Sequence, residues 1–345
     1  MQRWLYASEA TVNLTPTAFA DRIYLPLASG ALIALRASDG QMFWRSEIGG
    51  EISAAPVADE DGVYTASTTL ETARRTSERH QQQQAGALHS LGREGGVTLW
   101  RRTLTAPLRG ALALNQTTVF GGSDDGRIYA FRKKTGETLW SAQFPAGFNF
   151  RPLLINSHLY AGSEDGNFTA LDQATGKVLW RYRTRGAVRG EAVAVDGVVY
   201  FGSLDGYVYA LGAEDGRLRW RARTGAGVQA VASAENGLLV PSLDNFVYLL
   251  SYTRGDRLWK HQLAGRLAAM PLATSDGVLF TPLSGNTGIV LDLRDGRQLN
   301  SLPLGEDNSM AAAPIMAANM LLITTRHGLL AFSRAAVSAA HPEAK

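Results

Sequence analysis

The chain contains no cysteine. No disulfide can brace it, no thiolate can hold a metal, and thiol catalysis is excluded; the lack also fits an oxidising compartment. Its 345 residues hold no run of about 18 uncharged apolar residues, so no helix of a length to span a bilayer is expected. Lysine is scarce, 5 residues against 29 arginines, and the net charge is only +3, weak for a nucleic-acid binder. The arginine excess reads as the codon usage of a GC-rich genome before it reads as function. Residues Met1 to Tyr6 lack a basic-then-apolar leader, which leaves a cytosolic chain or a mature start open. The six histidines (His80, His89, His158, His261, His327, His341) show no metal-ligand spacing. There is no nucleophile elbow and no phosphate-cradling glycine loop. A disordered chain is excluded in turn, because 45% of the residues are hydrophobic and 19% charged.

What the chain does have is a metre. Tryptophans stand at 4, 44, 100, 140, 180, 220 and 259, with steps of 40, 56, 40, 40, 40 and 39. One further step of 41 falls on Asn300. Four residues before each slot from the second onward is a glycine: Gly40, Gly96, Gly136, Gly176, Gly216, Gly255 and Gly296. Within residues 188–223 each unit reads as four short strands. Asp196-Gly197 turns the first into Val198-Val199-Tyr200-Phe201; Asp205-Gly206 leads into Tyr207-Val208-Tyr209-Ala210-Leu211; Asp215-Gly216 leads into Arg217-Leu218-Arg219-Trp220. Asp-Gly between β-rich runs is a hairpin signal, because the turn needs positive φ. Four strands in about 40 residues is the period of a β-propeller blade.

The fold expected is therefore all-β: one eight-bladed propeller of four-stranded antiparallel blades over residues 1–334, with a flexible tail at 335–345. Setting aside a 16-residue insertion and the 11-residue tail leaves 318 residues, about eight units of 40. The last unit, Pro314 to Phe332, has three strands, and the chain opens with a lone tryptophan-bearing strand at Gln2–Tyr6. A 3+1 closure by that strand follows, with seven blades as the alternative. The insertion, about 67–85 in blade 2, is polar and free of glycine and proline; it reads as a short helix or a mobile arm, either a tolerated loop or a partner-binding one.

The stretch Asp165-Gly166-Asn167-Phe168-Thr169-Ala170-Leu171-Asp172-Gln173-Ala174-Thr175-Gly176-Lys177-Val178-Leu179-Trp180 and its near copies resemble the PQQ-type propeller repeat, over residues 1 to about 334. Two groups share that repeat. Quinoprotein dehydrogenases hold pyrroloquinoline quinone and Ca²⁺ at the propeller axis. The BamB family of outer-membrane-protein assembly lipoproteins uses an eight-bladed propeller as a non-catalytic scaffold. This chain lacks the adjacent cysteines that clamp the cofactor in many of the former, is shorter, and shows no set of Glu, Asn and Asp placed as their calcium ligands; in size and plainness it is similar to the latter. Val188-Arg189-Gly190-Glu191 resembles a Leu-Arg-Gly-Glu stretch whose leucine and arginine touch the periplasmic domains of the assembly barrel. The resemblance thus implies Val188 and Arg189 as partner contacts. It also implies a scaffold without cofactor in the periplasm or cell envelope, a monomer within a complex. Where that family has Asp-x-Asp in the next blade, Gly227 and Gln229 stand here, and its lipidated cysteine is absent. The alternatives are a quinoprotein holding PQQ with Ca²⁺ and a ligand-sensing propeller.

In a four-stranded blade the second hairpin and the link between blades share one face, the channel mouth. The inner strands begin there with Asn13, Ser53, Arg109, Asn149, Arg189 and Gln229 at one position, and Thr15, Ala55, Ala111, Arg151, Glu191 and Val231 two residues on. Strand alternation puts each pair on one side, so Arg109, Arg151 and Arg189 are expected to converge at the mouth with Glu191 beside them. Two readings stay open, a solvated polar rim and a site for an anion or acidic peptide. The partner-binding candidates are Arg109, Asn149, Arg151, Val188, Arg189, Glu191 and Gln229. The hairpin aspartates at Asp124-Asp125, Glu164-Asp165 and Asp205 read as turn chemistry rather than metal ligands. Each tryptophan is expected to pack between neighbouring blades, and the outer-strand arginines 181–185 and 217–223 to keep exposed edges charged.

Overall fold

The computed structural model describes residues 2–70, 84–265, 267, 270–274, 277–280, 287–305 and 312–333. They form 32 strands in six four-stranded sheets and one of eight strands. The eight-stranded sheet is two blades joined edge to edge, so the ring has eight blades, as the repeat requires. Blades 1 to 7 span residues 17–47, 51–104, 108–143, 153–183, 193–223, 232–262 and 272–303. Blade 8 takes its first three strands from 315–332 and its fourth from Gln2–Ala7, which pairs antiparallel with Gly328–Phe332. Among the described residues no helix is long and apolar enough to cross a membrane.

Alternation explains how the blades stack. In blade 5, Val199, Phe201, Tyr209 and Leu211 face blade 4, while Tyr200, Val208 and Ala210 face blade 6. Both faces of each middle strand are buried, so these strands are apolar throughout. Asp196 (φ 49°) and Gly197 (φ 74°) make the turn that precedes them. The result is eight apolar clusters, one in each interface between blades. Among the described residues the cluster between blades 8 and 1 has 13 buried members, and that between blades 7 and 8 has five.

The tryptophan metre is an interblade clasp. Each indole lies on the glycine four residues before the next slot, in the third turn of the following blade: Trp44 on Gly96, Trp140 on Gly176, Trp220 on Gly255. In all seven clasps a Cβ on the glycine would stand 2.5–2.7 Å from the ring, so no larger residue fits. Six of the indoles also donate Nε1–H to a carbonyl of that turn, as Trp140 does to Gln173 at 2.9 Å. The seventh, Trp4, lies on Gly40 with its buried Nε1 unpartnered. The eighth slot shows why the metre stops. Asn300 belongs to blade 7, and the turn that would receive an indole from it lies between the third and fourth strands of blade 8. Those two strands, Gly328–Phe332 and Gln2–Ala7, are not consecutive in the sequence. Asn300 is exposed and caps the Ser301 amide instead (2.8 Å).

One residue before each slot, every outer strand carries a β-bulge, at Arg3, Phe43, Leu99, Leu139, Leu179, Arg219, Leu258 and Leu299. The bulged residue is unpaired and faces outward, which accounts for the exposure of Leu99 and Leu258. It also interrupts an edge that another strand could otherwise extend.

Two blades depart from the pattern. The inner strands of blades 2 and 3, Glu51–Ala58 and Leu108–Leu114, have eight and seven residues where the other blades have three. They pair with each other in parallel, Gly110 with Ala54 and Ala111 with Ala55. Small side chains at the contact let the two backbones approach. Blade 2's second hairpin is also long: Val63–Leu70 pairs with Gln84–Leu91 out to Leu70–Gln84. The ends of the insertion are therefore strand; residues 71–83 and the tail 334–345 lie outside the described residues.

Candidate functional site

The inner strands and the links before them converge on a cavity of ≈360 Å³ at the axis, and every blade contributes to its wall. Blade 1 supplies Asn13 and Thr15, blade 2 Ala55, blade 3 Gly110 and Ala111, blade 4 Asn149 and Arg151, and blade 5 Gly190 and Glu191. Blade 6 adds Gln229 and its hairpin residues Ser242 and Leu243; Leu267, Met270, Ala312 and Ala313 complete the circle. The backbones crowd here: at Gly190 (φ 93°) a Cβ would collide with the Gln229 carbonyl oxygen. A second cavity of ≈290 Å³ lies farther along the inner strands of blades 3 to 5, walled by Ala113, Leu114, Pro152–Leu154 and Ala192. Arg151 and Glu191 line both, and among the described residues they are the only charged ones lining either.

The expected convergence of three arginines is not what the structure has. Only Arg151 lines the cavity. Arg109 instead donates from Nε to Asp124 Oδ2 (2.6 Å) and from Nη2 to Gln84 Oε1 (3.0 Å). Arg189 forms a two-armed pair with Glu164, Nε at 3.0 Å and Nη2 at 2.7 Å. Both sit on the rim, half exposed. The physical reason is the residue between the members of each pair. Gly110 (φ 70°) and Gly190 (φ 93°) take left-handed backbone, so residues two apart no longer face the same way. Arg109 and Arg189 turn to the rim while Ala111 and Glu191 face the axis. In blade 4 no glycine intervenes, and Asn149 and Arg151 both line the cavity.

The rim has its own repeat. Residues 109, 149 and 189 bond to the second hairpin of their own blade or of the preceding one, at 84, 124 and 164. Asn149 donates from Nδ2 to Glu164 (3.2 Å), so Asn149 and Arg189 meet on one carboxylate. The hydrogen bonds from Arg189, then Asn149, hold the Glu164 carboxyl below the usual range against the opposing effect of burial. Leu204 ends the series, and Gln229 is left exposed at the mouth. Glu164 was read from the sequence only as a turn residue; comparing the 40-residue columns against one another would have shown acids opposite arginines. Val188 requires correction. It is 2% exposed, packed in the cluster between blades 4 and 5, so its side chain serves the core and presents nothing to a partner.

Glu191, half-buried, is pushed up by desolvation and drawn back by Arg151. The hairpin aspartates do turn work: Asp125 accepts from the Arg127 amide (3.0 Å), and Asp205 from the Tyr207 amide (3.1 Å) and the Tyr209 hydroxyl (2.7 Å). A buried pair that sequence reading missed is Ser67 with His89, which share a hydrogen bond of 2.9 Å between adjacent strands of blade 2.

Solved structures with this architecture are diverse. The computationally designed Ika8 protein aligns with a TM-score of 0.80 at 15% identity, covering 96% of this chain and 99% of its own. BamB from Moraxella catarrhalis aligns at 0.79 and 17% identity, covering 96% of each chain. Quinohemoprotein alcohol dehydrogenase ADHIIG from Pseudomonas putida HK5 aligns at 0.73 and 12% identity, covering 95% of this chain and 72% of its own. At such identities the likeness is one of fold alone. No curated protein sequence matches. The sequence model described as outer membrane protein assembly factor BamB matches residues 84–191 and 184–341. Those matches span most of the propeller, including Arg109, Arg151, Arg189 and Glu191, and the chain belongs to the BamB-type outer membrane protein assembly factor family.

Proposed function

We propose that the chain is a non-enzymatic scaffold in the bacterial cell envelope that docks a protein partner on its channel-mouth face. The observation that carries this reading is the rim. Arg109 and Arg189 stand at equivalent places two blades apart, each held by a neighbouring carboxylate with side chains 31% and 41% exposed. Cations fixed before contact lose little freedom on binding, and a polar rim around an apolar centre is the usual anatomy of a protein interface. The family description supports an envelope setting, with the assembly machinery of outer-membrane proteins as the partner class proposed.

Pyrroloquinoline quinone with Ca²⁺ is the rival occupant of the axis, and the described residues do not fit it. A tricarboxylate would find one uncommitted guanidinium, Arg151, with Glu191 beside it. Ca²⁺ takes about six to eight oxygen ligands, and among the described residues no group of three or more His, Cys, Asp or Glu is placed to hold a metal.

Calorimetry against the purified periplasmic domains of the outer-membrane assembly barrel tests the scaffold reading. Arg109→Glu with Arg189→Glu should weaken binding at least about tenfold while the melting temperature stays close to that of the parent chain. Unchanged affinity would move the interface off this face. No binding by the parent chain would remove this partner.

A further inference from the structure

Arg151 and Glu191 hold equivalent places in neighbouring blades and share both axial cavities. Opposite charges facing one cavity commonly join. Here, among the described residues, neither forms a hydrogen bond or an ion pair within 4.0 Å. The rim charges around them are committed, Arg109 to Asp124 and Arg189 to Glu164. The other described residues of the ≈360 Å³ cavity are uncharged: Asn13, Thr15, Asn149 and Gln229 are polar, and Phe150, Leu243, Leu267 and Met270 are its largest apolar groups. That volume falls in the small-molecule range.

The charges select among ligands. A simple anion on Arg151 would face Glu191; a simple cation on Glu191 would face Arg151. A molecule carrying both signs satisfies each, and the apolar part of the wall, Leu243, Leu267 and Met270, calls for an apolar body. We infer that the axial cavity binds a small zwitterion of the amino-acid or short-peptide class, its carboxylate on Arg151, its ammonium on Glu191 and its side chain against Leu267 and Met270. A planar guanidinium suits a carboxylate because it can donate two parallel hydrogen bonds. The incoming ammonium relieves a carboxylate that burial now disfavours in its charged form. The site is separate from the docking reading, which uses Arg109 and Arg189 on the rim.

Calorimetry with L-leucine, L-phenylalanine and L-leucyl-L-leucine is the test, each compared with its N-acetylated and its C-amidated form. Saturable binding of at least one zwitterion is expected, weakened about tenfold or more by either modification. In Glu191→Gln the acetylated and free-amine forms should bind alike. In Arg151→Met the amidated and free-acid forms should bind alike. The chemical modifications keep the test intact even where a variant folds poorly. Absence of saturable binding by all three zwitterions up to about 10 mM would overturn the inference. So would binding indifferent to both modifications.

Discussion

The indole of Trp4 rests on Gly40, where a Cβ would stand 2.6 Å from ring carbon Cε3. This contact ties the first strand of the chain, serving as the outer strand of the last blade, to the third turn of blade 1. It is the same clasp that joins six other pairs of blades, and here it ties blade 8 to blade 1.

Replacing the glycine under an indole should cost more than replacing a glycine of similar φ elsewhere. Gly176 (φ 69°) lies under Trp140, whereas Gly197 (φ 74°) has nothing within 4 Å of its would-be Cβ. Both Gly176→Ala and Gly197→Ala strain the backbone. Only the first must also displace a ring, for about 1–3 kcal/mol more. Equal midpoints in urea unfolding would show that the clasp tolerates a methyl group.

The clasps should also differ among themselves. Trp140→Phe strands the Gln173 carbonyl, which now accepts a hydrogen bond of 2.9 Å. Trp4→Phe removes a buried N–H that has no acceptor. The first variant should lose about 1 kcal/mol more than the second, beyond what ring area explains. Denaturant titration of the two side by side decides it.

On the rim, Glu164 carries a depressed pKa, caused first by its bonds from Arg189. Its contribution is therefore present above the unfolded value of 4.5 and is lost as pH falls through the lower folded value. Glu164→Gln should cost up to about 1 kcal/mol at pH 7, since the pair is partly solvated. The stability curves of the two proteins should converge below pH 4.5. Parallel curves would mean the pair contributes nothing.

His89 should act in the opposite sense to a paired histidine. Burial first, then the charge of Arg101, lowers its pKa from 6.5 to about 4. Between those values the unfolded chain binds a proton that the native chain refuses, so stability falls as pH drops from 6.5 to about 4. The loss is about 3 kcal/mol at most. His89→Gln should flatten that slope in unfolding curves measured across this window.

The blade count, the closure by Gln2–Ala7 and the tryptophan clasps were all legible, because a 40-residue period repeats the same local chemistry in each unit. The site was harder to read. That Arg109, Arg189 and Glu191 stand near the mouth followed from position in the repeat. Which way each side chain points depended on Gly110 and Gly190, whose left-handed φ breaks the alternation assumed for an unbroken strand. Val188 failed for a related reason: a motif likeness fixes a residue's place in the chain, not the side of the strand that meets the core. The cavity itself, gathered from single residues of eight blades, leaves no local pattern. Arg151 and Glu191 become a pair only once the ring is closed.

The vacancy at the eighth slot has a mechanical meaning. A circular protein has no free end from which to fray, so any reversible opening must be a parting of two neighbours. Between blades 7 and 8 no indole is pinned under a turn, and among the described residues the apolar seam is the thinnest of the eight. Opening of the ring is therefore expected first at that joint, next to its own termini, and last between blades 2 and 3, whose inner strands pair with each other.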